Sequence, residues 1–144
     1  MPLDAGGPYL SVAALCERVL TEGDGVLSAI RIVDRITHVA SDPGAPEEMP
    51  PIPVSLTALV VLKSGAARGR HALKIRPEDP AGMRLPEISL PILFEGEDRG
   101  ASVVVNLALQ VQREGLYWFD VYLDEERITR MPMRVVYHRL TVGT

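Results

Sequence analysis

Between Ser102 and Val111 every second residue is a branched apolar one: Val103, Val105, Leu107, Leu109 and Val111. Ser102, Asn106, Ala108 and Gln110 take most of the positions between them. Side chains along a β-strand point alternately to opposite faces, so this period of two marks a half-buried antiparallel strand. The pattern repeats after Gly115, which turns the chain. Tyr117, Phe119, Val121 and Leu123 form a second inward row, and Asp124-Glu125-Glu126 makes a polar turn. The last strand runs from Arg127 to His138, with Met131, Met133, Val135 and Tyr137 on one face.

The earlier chain carries the same punctuation. Tyr9 to Leu20 is apolar on both faces and could also be a short helix. The strand reading is preferred because Glu22-Gly23-Asp24-Gly25 follows as a turn signal and Val26 to Val39 is rich in β-branched residues. The two runs predict a hairpin of about a dozen residues per arm. Ser41 to Pro53 holds five prolines with Glu47 and Glu48, and is expected to be a loop or crossing connection, because proline lacks the N–H a ladder needs. Val54 to Lys63, closed by Ser64-Gly65, and Arg70 to Arg76 predict two further strands. Asp79-Pro80-Ala81-Gly82 is a turn, and Ile88 to Phe94 is a shorter strand whose Pro91 suggests an edge or a bulge.

These are eight strand candidates without a convincing long amphipathic helix. The expected fold is all-β: an antiparallel β-sandwich, immunoglobulin-like, of about seven to eight strands with little or no helix. Closure into a short barrel would satisfy the same pattern. A chain of 144 residues can bury one core, so residues 1-144 are read as a single domain with residues 1-8 and 140-144 frayed. The proline-rich stretch 41-53 is too short to divide it.

Composition narrows the function. The apolar share of 47% excludes a disordered chain, and the net charge of −4 argues against nucleic acid, which wants a basic face. No apolar run approaches the roughly 20 residues needed to span a bilayer, no basic leader opens the chain, and Cys16 is alone. No membrane association is expected, and the expected setting is cytoplasmic and reducing.

Glu114-Gly115-Leu116-Tyr117-Trp118-Phe119 resembles the start of a late strand in immunoglobulin-like sandwiches. There a tyrosine sends its hydroxyl back to nearby backbone, the tyrosine corner, and Tyr117 is the candidate for that role. More widely, Ala14-Leu15-Cys16-Glu17-Arg18-Val19, Gly25-Val26-Leu27-Ser28 and Ile30-Arg31-Ile32-Val33-Asp34-Arg35-Ile36 resemble the opening of a bacterial family of short, uncharacterised all-β proteins. Gly115 to Val121 and Pro132-Met133-Arg134-Val135 resemble its close. The resemblance implies fold and bacterial origin and brings no activity or functional residue.

Catalytic patterns are missing. His38, His71 and His138 are far apart in sequence and Cys16 has no ligand-spaced neighbour, so no metal or cofactor is expected. There is no Gly-x-Ser-x-Gly elbow; Ser28, Ser55, Ser64, Ser89 and Ser102 lie in strand or turn contexts, and Cys16 in an apolar run reads as a buried, inert thiol. Gly65-Ala66-Ala67-Arg68-Gly69 reads as a hairpin turn, since no helix follows to aim N–H groups at a phosphate. The chain is therefore not expected to be an enzyme.

Two surface features remain. Arg70, Lys74 and Arg76 share parity on one strand and form a basic stripe, suited to an acidic partner or simply to solvent and edge protection. Trp118 and Tyr122 project opposite the inward row with Asp120 between them, and Val104 and Val136 are expected to extend the same outer face. Exposed aromatics anchor protein interfaces or stack on sugars. The expected function is a non-enzymatic protein-interaction or structural module, with a hetero-partner or a second copy of itself. The alternative is a small-ligand module for carbohydrate or, through the acidic loops at Glu95, Glu97, Asp98 and Asp124 to Glu126, calcium.

Overall fold

A computed structural model describes residues 6–140. Its elements are seven strands: β1 (Tyr9–Thr21), β2 (Leu27–Ile32), β3 (Arg35–Ala40), β4 (Ile52–Glu78), β5 (Ile88–Val111), β6 (Gly115–Leu123) and β7 (Glu126–Arg139). No helix occurs among the described residues. The strands hydrogen-bond in the order β2-β1-β4-β6-β7-β3, with β5 on β4 off this path, and the sheet curls into a half-barrel.

The curl follows from how β4 shares its partners. Its first part pairs β1 (Leu15↔Ala58) on one side and the end of β5 (Ala58↔Val105) on the other. Its last part pairs the start of β5 (Leu73↔Leu90) and β6 (Leu73↔Leu123). Between them the register shifts twice, from Lys63 to Gly65 and from Gly65 to Arg68. The backbone there enters the left-handed region at Gly65 (φ 56°) and Gly69 (φ 89°), matched on β5 by Gly96 (φ 95°) and Glu97 (φ 58°). Bulges of this kind bend and twist a strand without ending it. The sheet therefore has two halves that face one another across the bend.

The core fills the space between the halves. Leu15, Leu56, Ala58, Val60, Val105 and Leu107 from the first half belong to one cluster with Leu73, Ile75, Phe94, Tyr117, Phe119 and Met133 from the second. Burying each large apolar side chain is worth about 1.5–3 kcal/mol. The inward rows anticipated from alternation are in place: Val103, Val105, Leu107, Tyr117, Phe119, Val121, Met131, Met133 and Val135 are all buried. The Tyr117 hydroxyl donates to the Arg113 carbonyl at 2.7 Å, returning to backbone as expected.

Four expectations are corrected. The stretches 54–63 and 70–76 are one bent strand, as are 88–94 and 102–111, because the intervening glycines make bulges and not reversals. Gly65 to Gly69 is accordingly no hairpin turn. The second arm of the first hairpin ends at Ile32. Arg31 takes a left-handed conformation (φ 56°), Val33 N–H donates to the Leu15 carbonyl, and the chain then crosses to the far edge. There β3 runs parallel to β7, with Ile36 opposite Val135, so the sheet is mixed and not purely antiparallel. All seven strands belong to one continuously bonded sheet.

The proline-rich stretch is a crossing connection over residues 41–51, from β3 at one edge to β4 at the centre, while Ile52 and Pro53, expected in the loop, already pair with β5. It is fastened by the Tyr137 hydroxyl donating to the Pro46 carbonyl at 2.7 Å, and Met49 plugs the core. Pro91 sits on β5 where that strand pairs only β4, so its missing N–H is not needed by a second neighbour.

The bend makes a specific demand on Gly65. A Cβ there would lie 2.5 Å from the Gly6 carbonyl oxygen and 2.7 Å from the Tyr9 ring, whereas one at Gly69 would meet nothing within 4 Å. Gly69→Ala should cost only backbone strain, about 1 kcal/mol, and Gly65→Ala at least about 2 kcal/mol more. Urea unfolding of the two variants checks the order; equal losses would mean that close approach at the bend is unimportant.

Candidate functional site

The outer face of the second half is built by three neighbouring strands in register. On β4, Lys74 lies beside Tyr122, Arg76 beside Asp120 and Glu78 beside Trp118. On β7, Pro132 lies beside Trp118, Arg130 beside Asp120 and Arg127 beside Tyr122. Antiparallel pairing places opposed residues on the same face, so the basic stripe and the aromatic pair, separate features in the sequence, become one surface.

Its centre is a buried carboxylate. Asp120 is 8% exposed and accepts from Arg130 Nε at 2.7 Å, with Arg127 at 3.7 Å. A charge removed from water in this way needs such partners. Arg130 also reaches Glu78 at 3.4 Å and lays its guanidinium 4.2 Å from the Trp118 ring centroid. Arg76 repeats the arrangement, 4.1 Å over Tyr122 and paired with Glu87 at 2.9 Å. Lys74 bonds Glu125 at 2.6 Å. Each stacked cation is attracted electrostatically by the negative face of the ring beneath it. The aromatic rings are thus half-buried beneath arginines.

The other predicted residues divide. Arg70 shares the outer face of β4, beside the exposed Leu93, and has no ion-pair partner among the described residues. Val136 is on the outer face of β7 beside Thr37, four residues past Pro132. Val104 belongs to the other half, opposite Leu59, and does not extend the aromatic surface. Arg134 and Arg35 stand opposite one another on the outer face of β7 and β3, exposed and without ion-pair partners among the described residues.

A second constellation lies at the bend and was not anticipated. His71 Nδ1 is 2.8 Å from Asp124 Oδ2 and Nε2 is 3.2 Å from the Arg68 carbonyl. Asp124 Oδ1 accepts the Ala72 N–H at 3.0 Å, and the Asp124 N–H donates to the Ala72 carbonyl at 2.7 Å. Both ring nitrogens face oxygens that only accept, a demand met by the doubly protonated imidazolium. The hydrogen bond to Asp124 raises the His71 pKa, opposed by burial. For Asp124, burial is the largest influence and acts upward. The bonds from His71 and Ala72, with the charges of His71 and Lys74, prevail and lower its pKa. Fifty-three residues separate the partners, so only the β4–β6 pairing reveals them.

The remaining titratable groups offer little chemistry. Cys16 is buried, its thiol pKa raised by burial, and Sγ approaches the Thr57 carbonyl at 3.6 Å. His38 stacks on Tyr137 with centroids 5.9 Å apart. Among the described residues no group of three or more His, Cys, Asp or Glu side chains is placed to hold a metal ion. Glu95, Glu97 and Asp98, expected in a loop, lie within β5 at its bend, where Glu95 pairs with Arg99 at 3.2 Å, and Glu125 in the β6–β7 turn pairs with Lys74 at 2.6 Å. No helix of the described residues is long and apolar enough to cross a membrane.

The model of the family of unknown function DUF6941 matches residues 11–136, and the chain belongs to that family. No curated protein matches it.

The His71–Asp124 pair makes stability depend on pH. A histidine pKa raised by folding stabilises fully below the unfolded value of about 6.5, and the gain disappears as pH rises through the folded value. A lowered Asp124 pKa stabilises above about 3.9 and is lost as pH falls through its folded value. The urea midpoint of the native protein should exceed that of His71→Gln most between about pH 4 and 6.5, and the gap should close in alkaline buffer. A gap independent of pH would show that His71 acts only by packing on Phe94, whose ring centroid lies 5.1 Å from its own.

Proposed function

From membership of a family without an assigned activity, we propose that this protein is a non-enzymatic interaction module that binds an acidic protein segment on the outer face of β4, β6 and β7. The observation that carries the reading is the pair of half-buried aromatic rings, Trp118 and Tyr122, held under Arg130 and Arg76. Tryptophan, tyrosine and arginine are the residue types that dominate binding energy at interfaces, and here they are already ordered before any partner arrives. Arg70, Arg35 and Arg134 surround them without ion-pair partners among the described residues. On a chain of net charge −4, this face concentrates the opposite sign and would steer an acidic partner.

The arginine caps weigh against the carbohydrate alternative, since a sugar would have to displace a guanidinium to reach either ring face. Glu95, Asp124 and Glu125, already held by Arg99, His71 and Lys74, weigh in the same way against calcium. We read the two halves of the sheet as a sandwich joined through β4 and β5, with the Tyr117 hydroxyl bond supporting an immunoglobulin-like kinship. The setting we assign is the bacterial cytoplasm, which suits a lone, buried cysteine.

Affinity purification of the tagged protein, with mass spectrometry of stoichiometric companions, tests the proposal. An acidic companion should be recovered with the native protein and lost with Trp118→Ala, a truncation expected to cost at least about 2 kcal/mol of binding. Arg134→Glu should weaken recovery and its salt dependence while leaving the fold intact. Retention of every companion by both folded variants would sink the assignment of this face.

A further inference from the structure

We propose that the free edge of β5 between Ala101 and Leu109 pairs antiparallel with the same segment of a second copy of this chain. In that pairing two first halves join into one continuous sheet across a twofold axis. This edge belongs to the half of the molecule opposite the aromatic–arginine surface, so the inference is independent of the acidic-partner reading.

The segment pairs β4 on one side, with Ala58 opposite Val105, and has no strand on the other among the described residues. A strand edge of this kind presents unpaired N–H and C=O groups, and proteins ordinarily blunt it with charge, proline, bulges or brevity. The other edges carry such devices. β2 has six residues and Arg31 at φ 56°. β3 also has six, with Arg35 and His38 among them, and the first part of β5 carries Pro91. From Ala101 to Val111 there is no charged residue and no proline. Near its end, Gln110 and Gln112 adjoin the loop at Asp79 to Leu85 in a shallow cleft, so the open stretch closes around Leu109.

The segment is complementary to itself. Antiparallel pairing about Val105 opposes Ala101 with Leu109, Val103 with Leu107 and Val105 with Val105. These are the inward side chains, so the two cores meet edge to edge. On the outer face it opposes Ser102 with Ala108 and Val104 with Asn106. No charge faces a charge. Val104, 47% exposed over Leu59, gains a neighbour where it now has water. The same patch serves both copies, so the contact is isologous. It uses up the edge and closes at two chains.

Light scattering after size exclusion, over a wide concentration series, should give a mass approaching twice 15.7 kDa. Combining Ser102→Lys with Ala108→Lys opposes like charges across the axis and should return the monomer with circular dichroism unchanged; Ser89→Lys, on the first part of β5, should leave the dimer intact. The corresponding double glutamate variant should be monomeric alone and should form a mixed dimer with the double lysine variant. Should the charged variants fail to fold, amide exchange of the native protein decides: residues 101–109 must gain protection as concentration rises. A native protein that stays monomeric, a dimer that survives the lysine pair, a mixture that fails to associate or an open-ended polymer would each overturn the proposal.

Discussion

The ladder between β4 and β5 is the constraint on which the rest of the structure depends. It runs from Ile52 opposite Val111 to Ile75 opposite Ile88, and every other strand joins the molecule through it directly or through one or two intervening strands. A straight strand of 27 residues would extend about 90 Å, at roughly 3.3 Å per residue, several times the radius of gyration of about 15 Å expected for a domain of this length. It must bend or leave its apolar face in water. The bulges around Gly65 and Gly96 supply the bend, and the two faces so produced close on Val60, Phe94, Tyr117 and Phe119. The crossing from β2 to β3 follows from the same geometry. Once the halves face one another, the far edges of β1 and β7 come close enough for Val33 and Asp34 to bond to both.

The outer face of the second half shows how a polar surface is organised by such a frame. Asp120 is the member with the least access to water, and the arginines around it are held for that reason. Ion pairs at exposed positions contribute little to stability, typically 0–1 kcal/mol. The value of the network is therefore orientation. Arg130 is fixed by Asp120 and Glu78 before it covers Trp118, and Arg76 by Glu87 before it covers Tyr122. Flexible side chains ordered in advance lose less entropy when a partner binds.

The bend and the β6–β7 turn are joined by a different device. His71 and Asp124 close a ring of hydrogen bonds with Ala72 and Arg68, which ties the most distorted part of β4 to the strand that pairs its straight part. The left-handed conformation of Asp124 (φ 55°) directs its carboxylate back to that ring. Distortion at the bend is thereby anchored by bonds whose strength varies with protonation.

Much of this was legible in the residues alone, and the boundary is physical. The period of two along Val103 to Val111, Tyr117 to Leu123 and Met131 to Tyr137 determined which side chains face the core, because pleating is a property of each strand by itself. It determined equally that Trp118, Asp120 and Tyr122 share the opposite face, and Arg70, Lys74 and Arg76 another. Which strands neighbour which was decided only by the tertiary structure. Backbone N–H and C=O groups are the same at every residue, so a ladder carries no label naming its partner. That is why the union of the aromatic and basic rows, the placement of Val104 in the other half, the His71–Asp124 contact and the parallel seat of β3 lay beyond the sequence. The glycines at the bend could be read as breaks, but whether a break reverses a strand or only bends it depends on the packing that waits on the far side.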